Sequence, residues 1–215
     1  MKAAIISYHD ASYQPLADIT WDQNKIPYCE LHGYHCEFEP LEGVGHPGQL
    51  QKVRFINRML HDPAGYEWIW WTGCDLMITN FTTKIEDKVD EKYHMVIATD
   101  CNGFNADSIL IRNSEESREY WKMISDVLPG LHWHWEGEQK IIKDTYPNHK
   151  KKIKVVPQRE INSYEYAIYG GHYQPYDYLG TDGNWQHGDW VIQWPGATLE
   201  DRLLLAKKYT ALTIK

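Results

Sequence analysis

The segment Tyr66-Glu67-Trp68-Ile69-Trp70-Trp71 does most to limit what this chain can fold into. It reads as a buried strand, and it runs directly into Thr72-Gly73-Cys74-Asp75. A carboxylate thus stands at the carboxyl end of the most apolar strand in the sequence. Charge in that position is costly unless it caps a turn or meets a cation.

Strand and helix signals alternate around this segment, which is the pattern of an α/β domain. Ala3-Ala4-Ile5-Ile6-Ser7 is a first buried strand that ends in the polar Tyr8-His9-Asp10. A helical stretch from Leu16 to Leu31 is interrupted or kinked at Pro27 and stopped by Gly33. Strands follow at Tyr34 to Phe38, His94 to Thr99 (then Asp100), Ser108 to Arg112 and Ile153 to Val156. Helices are expected at Leu50 to Leu60, after a Ser114 cap, at Glu138 to Tyr146, and at Thr198 to Tyr209 with Leu199, Leu203, Leu204 and Ala206 as its apolar face. Pro157 to Gly196 is rich in Tyr, Gly, Trp and Asn and has little periodicity. With no repeat, low-complexity tract or linker, residues 1–215 are expected to form one domain.

Charge excludes one class of partner. The chain has 22 basic and 30 acidic side chains, a formal net charge of -8, so it lacks the basic surplus that phosphate backbones demand. Its one basic run, His149-Lys150-Lys151-Lys152, reads as a solvated loop before a strand. Met1 to Ile6 is too short an apolar run to read as a signal peptide, no stretch in these residues reads as membrane-spanning, and the four cysteines form no CxxC pair. A reduced, cytoplasmic setting without a membrane anchor is expected, and the sequon Asn80-Phe81-Thr82 is then coincidental. Ten tryptophans and fifteen tyrosines are unusual for this length. Part of that excess is core, and part suits ligands with an apolar face and hydroxylated edges, as sugars have.

Several chemistries are absent. No Walker loop, HExxH, zinc spacing or GxSxG elbow occurs. His132 and His134 alternate with Trp133 and Trp135, which allows a metal pair but fits hydrogen-bonded histidines better. Glu136 and Glu138 are too close in sequence to face each other across a glycosidic bond. Because ligands of open α/β sheets sit beyond the strands' carboxyl ends, Asp75 and Asp100 become candidates.

The stretch Glu67 to Asn80, EWIWWTGCDLMITN, resembles the strand and metal motif of the GT-A glycosyltransferases in the plant xyloglucan xylosyltransferase and fungal α-galactosyltransferase family. Gly103 to Asn113, Trp135-Glu136-Gly137-Glu138-Gln139 and Asp189 to Gly196 resemble later family segments in the same order. The resemblance implies a GT-A fold: a Rossmann-like mixed central sheet flanked by helices, with a nucleotide-sugar half over about residues 1–100 and a loop-rich acceptor half over about 101–215. It further implies a retaining transferase that moves a sugar from a UDP-sugar to a glycan or glycoprotein hydroxyl, with a divalent cation, Mn²⁺ or Mg²⁺, on the diphosphate.

Carried onto this chain, the family's pattern assigns nucleotide-sugar contacts to Ser7, Tyr8, Lys52, Thr72, Gly73, Cys74 and Asp75. Asp100, Asn105, Glu138 and Gln139 would surround the transferred sugar, with Glu138 stabilising an oxocarbenium-like centre. Trp133, Trp135 and Gly196 would meet the acceptor. The metal would fall to Asp75 with Gln193, or with His187 in its place.

Two positions depart from the family. Gly73 replaces the first aspartate of its DxD motif, and Gln193 stands where the family has a metal-binding histidine. They favour an alternative in which a degenerate GT-A fold serves as a carbohydrate-binding protein.

Overall fold

The central strand is built as its composition requires, with all five residues of Trp68–Thr72 buried. In a computed structural model, which describes residues 1–40, 48–131, 134–170 and 177–215, the elements follow in chain order. β1 is Ala3–His9, α1 Gln14–Ala17, α2 Ile26–His32, β2 His35–Pro40, α3 Gly48–Leu60, β3 Trp68–Thr72 and β4 Leu76–Ile78. Then come β5 Met95–Asp100, β6 Gly103–Arg112, α4 Glu115–Val127, α5 Glu138–His149, β7 Ile153–Val156, α6 Gln158–Ile161, β8 Ser163–Tyr164, β9 Val191–Gln193 and α7 Leu199–Leu212.

Six strands form the main sheet in the order β2-β1-β3-β6-β5-β7. β1 pairs in parallel with β2 and β3, whereas β6 runs antiparallel to both β3 and β5. The sheet is therefore mixed, as expected. Side chains alternate between its faces: Ile6, Ile69, Trp71, Ile97 and Ile109 pack with Phe55, Trp121 and Ile142 on one side, and Ile5, Trp68, Trp70 and Leu110 pack with Tyr28, Phe81 and Trp190 on the other. Trp70 stacks on Trp190 with ring centroids 4.2 Å apart.

Two local devices position the site. A π-helical stretch, Asp18–Lys25, joins α1 to α2, and Gly33 closes α2 in the left-handed conformation at φ 71°. Pro27 lies at the start of α2, where its missing N–H costs little, so it ends the π stretch without ending the helix. The second device is a register shift between Ile97 and Ala98 of β5: Ile97 pairs with Ile109, but Ala98 pairs with Asn105. The extra β6 residues between those partners bulge, which re-aims Asp107 toward the end of β3.

Within the aperiodic stretch, β8 and β9 combine with β4 in a second sheet ordered β4-β9-β8. α7 covers this sheet, and Leu199, Leu203 and Ala206 of the expected face pack against its core. Arg202, Leu205, Ala206 and Tyr209 are buried, while Leu204 is 62% exposed. Arg202 joins the inward stripe, its guanidinium lying over the Tyr13 ring at 5.4 Å. Among the described residues no helix is long and apolar enough to cross a membrane, and Cys29, Cys36 and Cys74 are free thiols.

Candidate active site

The site begins in the turn after β3. Its backbone is bonded from the π-helical stretch: the Thr20 hydroxyl donates to Cys74 O (2.7 Å), and Asn24 exchanges two 2.8 Å bonds with the backbone of Ile78. The fully buried Lys25 ammonium donates to Thr20 O (3.1 Å), Gly73 O (3.5 Å) and Leu76 O. Burial pulls the Lys25 pKa down to about 8 and pushes the Cys74 thiol up to about 11.

On this turn Asp75 has each carboxylate oxygen engaged. Oδ2 lies 2.9 Å from Arg202 Nη2, and Oδ1 accepts a 3.1 Å bond from Gln193 Nε2. Gln193 comes from β9, which pairs antiparallel with β4 so that Leu76 faces it. The same Nε2 donates to Asp107 Oδ2 at 3.0 Å. Gln193 is wholly buried, and its Oε1 has no partner. Burial raises the Asp75 pKa and the nearby Asp107 adds to the rise, while Arg202 opposes it.

A cavity of about 210 Å³ opens here, lined by Tyr8, Asp10, Gly73, Cys74, Asp75, Asp107 and Arg202, with His9, Tyr13 and Trp71. Tyr8 and Asp107 also line a larger neighbour of about 440 Å³. That second cavity gathers Lys52 of α3, Asp100 of β5, Asn105 of β6 and Glu138 and Gln139 of α5, with Trp135 and Gly196 at its edge. It lies beyond the carboxyl ends of β1, β3 and β5, where an open α/β sheet holds its ligands.

The larger cavity is cross-braced. Lys52 Nζ is 2.6 Å from Glu138 Oε1 and 3.8 Å from Asp107 Oδ1, and it also donates to Ala106 O. Gln139 Oε1 accepts from Ala106 N at 2.9 Å, which leaves its amide hydrogens for a ligand. Asp100 Oδ2 accepts from Tyr164 Oη (2.6 Å) and Asn105 Nδ2 (3.2 Å), while burial raises the Asp100 pKa against these bonds. Glu138 is 4% exposed and its Oε2 has no partner.

The structure thus brings together Tyr8, Lys52, Gly73, Cys74, Asp75, Asp100, Asn105, Trp135, Glu138, Gln139 and Gly196 around two adjoining cavities. Ser7 and Thr72 are buried in the sheet and border neither; the Thr72 hydroxyl donates to Ile6 O at 3.4 Å. Gln193 stands behind the smaller cavity, against Asp75. His187 is exposed, its ring edge-on to Trp185. Trp133 and His132 lie outside the described residues. Sequence reasoning missed Asp107 and Arg202; only the arginine carried a local signal, as a polar residue on the inward stripe of an amphipathic helix.

Two comparisons fix the class and then the family. The fold is that of the GT-A glycosyltransferases. A glycosyltransferase involved in glycosylation of the major capsid of PBCV-1 superposes with a TM-score of 0.76 at 17% identity, covering 97% of this chain and 100% of that one. Residues 7–92 and 88–202 match the galactosyl transferase GMA12/MNN10 family, and the chain belongs to it. An alpha-1,2-galactosyltransferase of Schizosaccharomyces pombe is 26% identical over 186 residues, 67% of this chain and 50% of the relative. The "Probable xyloglucan 6-xylosyltransferase 5" of Arabidopsis thaliana is 31% identical over 80 residues, 35% of this chain and 17% of that protein. The chain spans half the length of the fungal relative it matches.

Proposed function

We propose that this chain is a glycosyltransferase that moves a sugar from a UDP-sugar to a glycan or glycoprotein hydroxyl, with retention of configuration and with a divalent cation on the diphosphate. The observation that carries this reading is the larger cavity, where Asp100, Asn105, Glu138 and Gln139 converge from three elements beside the smaller, Asp75-bearing one. Retention is proposed on the family likeness.

In this reading the diphosphate lies in the smaller cavity, with Tyr8 against the nucleotide, and the sugar lies in the larger one. A bound cation would supply positive charge to the departing diphosphate; Asp75 and Gln193 would help to hold it. Asp100, Asn105 and the free amide hydrogens of Gln139 would bind ring hydroxyls. The unpartnered Glu138 Oε2 offers negative charge to the anomeric centre as the leaving group departs, and Lys52 fixes the other oxygen of that carboxylate. Trp135, 73% exposed at the cavity edge, presents a face on which an acceptor sugar can stack. The chain then works as one domain, in which the first hundred residues supply the nucleotide contacts and Asn105, Glu138, Gln139 and Gln193 from the remainder complete the donor site. The named relatives transfer different sugars, so the donor sugar is an outcome of the test.

The test is incubation with UDP-galactose, UDP-glucose and UDP-xylose in the presence of Mn²⁺ or Mg²⁺. UDP release and the anomeric configuration of the product are followed by NMR. Release of UDP from one donor, with the α-linkage kept and with loss in Glu138→Gln, is the expected result. Glycan binding without binding of any UDP-sugar would replace this reading with the carbohydrate-binding one.

A further inference from the structure

We propose that Asp107 supplies, from the neighbouring strand, the cation-binding carboxylate that Gly73 cannot, so that Asp75, Asp107 and the Gln193 amide oxygen form an all-oxygen site for Mg²⁺ or Mn²⁺. The inference rests on the nucleotide-sugar reading above.

Position carries the argument first. β6 runs antiparallel to β3, with Thr72 opposite Ser108, so the next residue in each direction, Gly73 and Asp107, meet at the strand end. Gly73 N donates to Asp107 O at 2.8 Å. A Cβ built on Gly73 would stand 3.5 Å from the Cβ of Asp107 and 2.9 Å from Asp75 Oδ1. A side chain at position 73 would therefore enter the space that the Asp107 side chain already shares with Asp75. The β6 bulge aims Asp107 into that space.

The unpartnered oxygen gives a second, independent indication. The wholly buried Gln193 sets its amide against both carboxylates yet leaves Oε1 without a partner, an arrangement that costs on the order of 1–3 kcal/mol for the stranded oxygen. Turned end for end, the amide gives up its two Nε2 bonds and brings Oε1 toward the two carboxylates, where a cation among the three oxygens would offset that loss. Arg202 holds Asp75 Oδ2 at 2.9 Å, so Oδ1 is the oxygen left for the ion.

Charge points the same way. Among the described residues Asp10, Asp75, Asp107, Asp100, Glu136 and Glu138 line the two cavities against Lys52 and Arg202 as formal cations, and Lys52 is already paired with Glu138. A diphosphate enters such a cleft more readily with a divalent ion. Among the described residues no three His, Cys, Asp or Glu side chains group closely enough to hold a metal, so two carboxylates and an amide would leave the remaining positions to diphosphate oxygens and water, as Mg²⁺ commonly has them. Without an imidazole the set is harder than one containing histidine, which narrows any preference for Mn²⁺ over Mg²⁺.

The test measures Mn²⁺ binding by EPR with saturating UDP, and UDP binding by calorimetry in EDTA, on folded proteins matched by thermal unfolding. Asp107→Ala is expected to weaken Mn²⁺ binding about tenfold or more, while UDP affinity in EDTA is kept or raised because a carboxylate facing the diphosphate is gone. Asp107→Asn repeats the measurement with the side-chain shape retained. The decisive variant is Gly73→Asp with Asp107→Ala, which returns a carboxylate to the same space and should bring Mn²⁺ affinity to within about threefold of wild type. Wild-type affinity in Asp107→Ala, or a double variant no better than that single one, would overturn the proposal. UDP binding that is indifferent to Mn²⁺ and EDTA would also overturn it; the transferase reading would stand, with Arg202 as the cation facing the diphosphate. A wild-type protein that binds neither UDP nor Mn²⁺ would overturn both.

Discussion

Lys52 Nζ lies 2.6 Å from Glu138 Oε1, joining α3 to the first residue of α5 through a pair whose side chains are only 3% and 5% exposed. The Lys52 ammonium also sits 5.0 Å above the Trp71 ring. A pair buried this deeply is worth little compared with well-packed apolar residues, but breaking it leaves a charge with no compensation. Lys52→Met should therefore cost about 3–5 kcal/mol of stability, and adding Glu138→Leu should recover most of that loss. Urea unfolding of the two single variants and the double reads the coupling directly. Transfer should be lost in both variants that lack Glu138, including the restabilised double, and only reduced in Lys52→Met, which separates the fold's need for the pair from the reaction's need for the carboxylate.

A second prediction concerns pH. His94 is buried, stacked on Tyr120 at 5.5 Å, and neither ring nitrogen has a partner. Burial, with His149 and Lys152 adding repulsion, lowers its pKa from 6.5 to about 4. Below about pH 6.5 the unfolded chain takes up a proton that the folded chain refuses, so stability falls as pH falls, until about pH 4. The loss between pH 7 and pH 4.5 should be on the order of 2–3 kcal/mol. Chemical denaturation at those two pH values checks it, and His94→Phe should remove that share of the difference.

Trp135 offers a third. It is exposed at the edge of the larger cavity, with His134 stacked beside it at 6.1 Å. If acceptor sugars stack there, Trp135→Ala should raise the acceptor KM roughly three- to tenfold and leave the dissociation constant for UDP unchanged. Steady-state kinetics at saturating donor, with calorimetry for UDP, distinguishes this from a general loosening of the site.

The parts of the molecule legible in its sequence are those where one segment carries its own signal. β3 announces itself by five consecutive apolar or small residues that prove buried, Ser114 by its capping position, and the larger cavity by the strand-end Asp100 and, through the family resemblance, the Glu138-Gln139 pair. β4, β8 and β9 were invisible because strands of two or three residues are too short to show periodicity. Arg202 was hidden by the assumption that an amphipathic helix turns its leucines inward; Leu204 faces solvent and the arginine faces Asp75. Asp107 was hidden for a different reason. Its meaning depends on antiparallel pairing with a strand more than thirty residues earlier and on a bulge, neither of which is written in the residues around it.

The three side chains that the π-helical stretch sends to the turn after β3 also bear on how the site responds to a ligand. Thr20, Asn24 and Lys25 bond the carbonyls of Gly73, Cys74, Leu76 and Ile78 from positions about fifty residues away in the chain. Those peptide groups are consequently locked before anything binds, and the entropy of ordering them is lost during folding rather than at each encounter. Asp75 meets an incoming charge on a preorganised frame, in which a carboxylate can rotate but the chain beneath it has little room to rearrange.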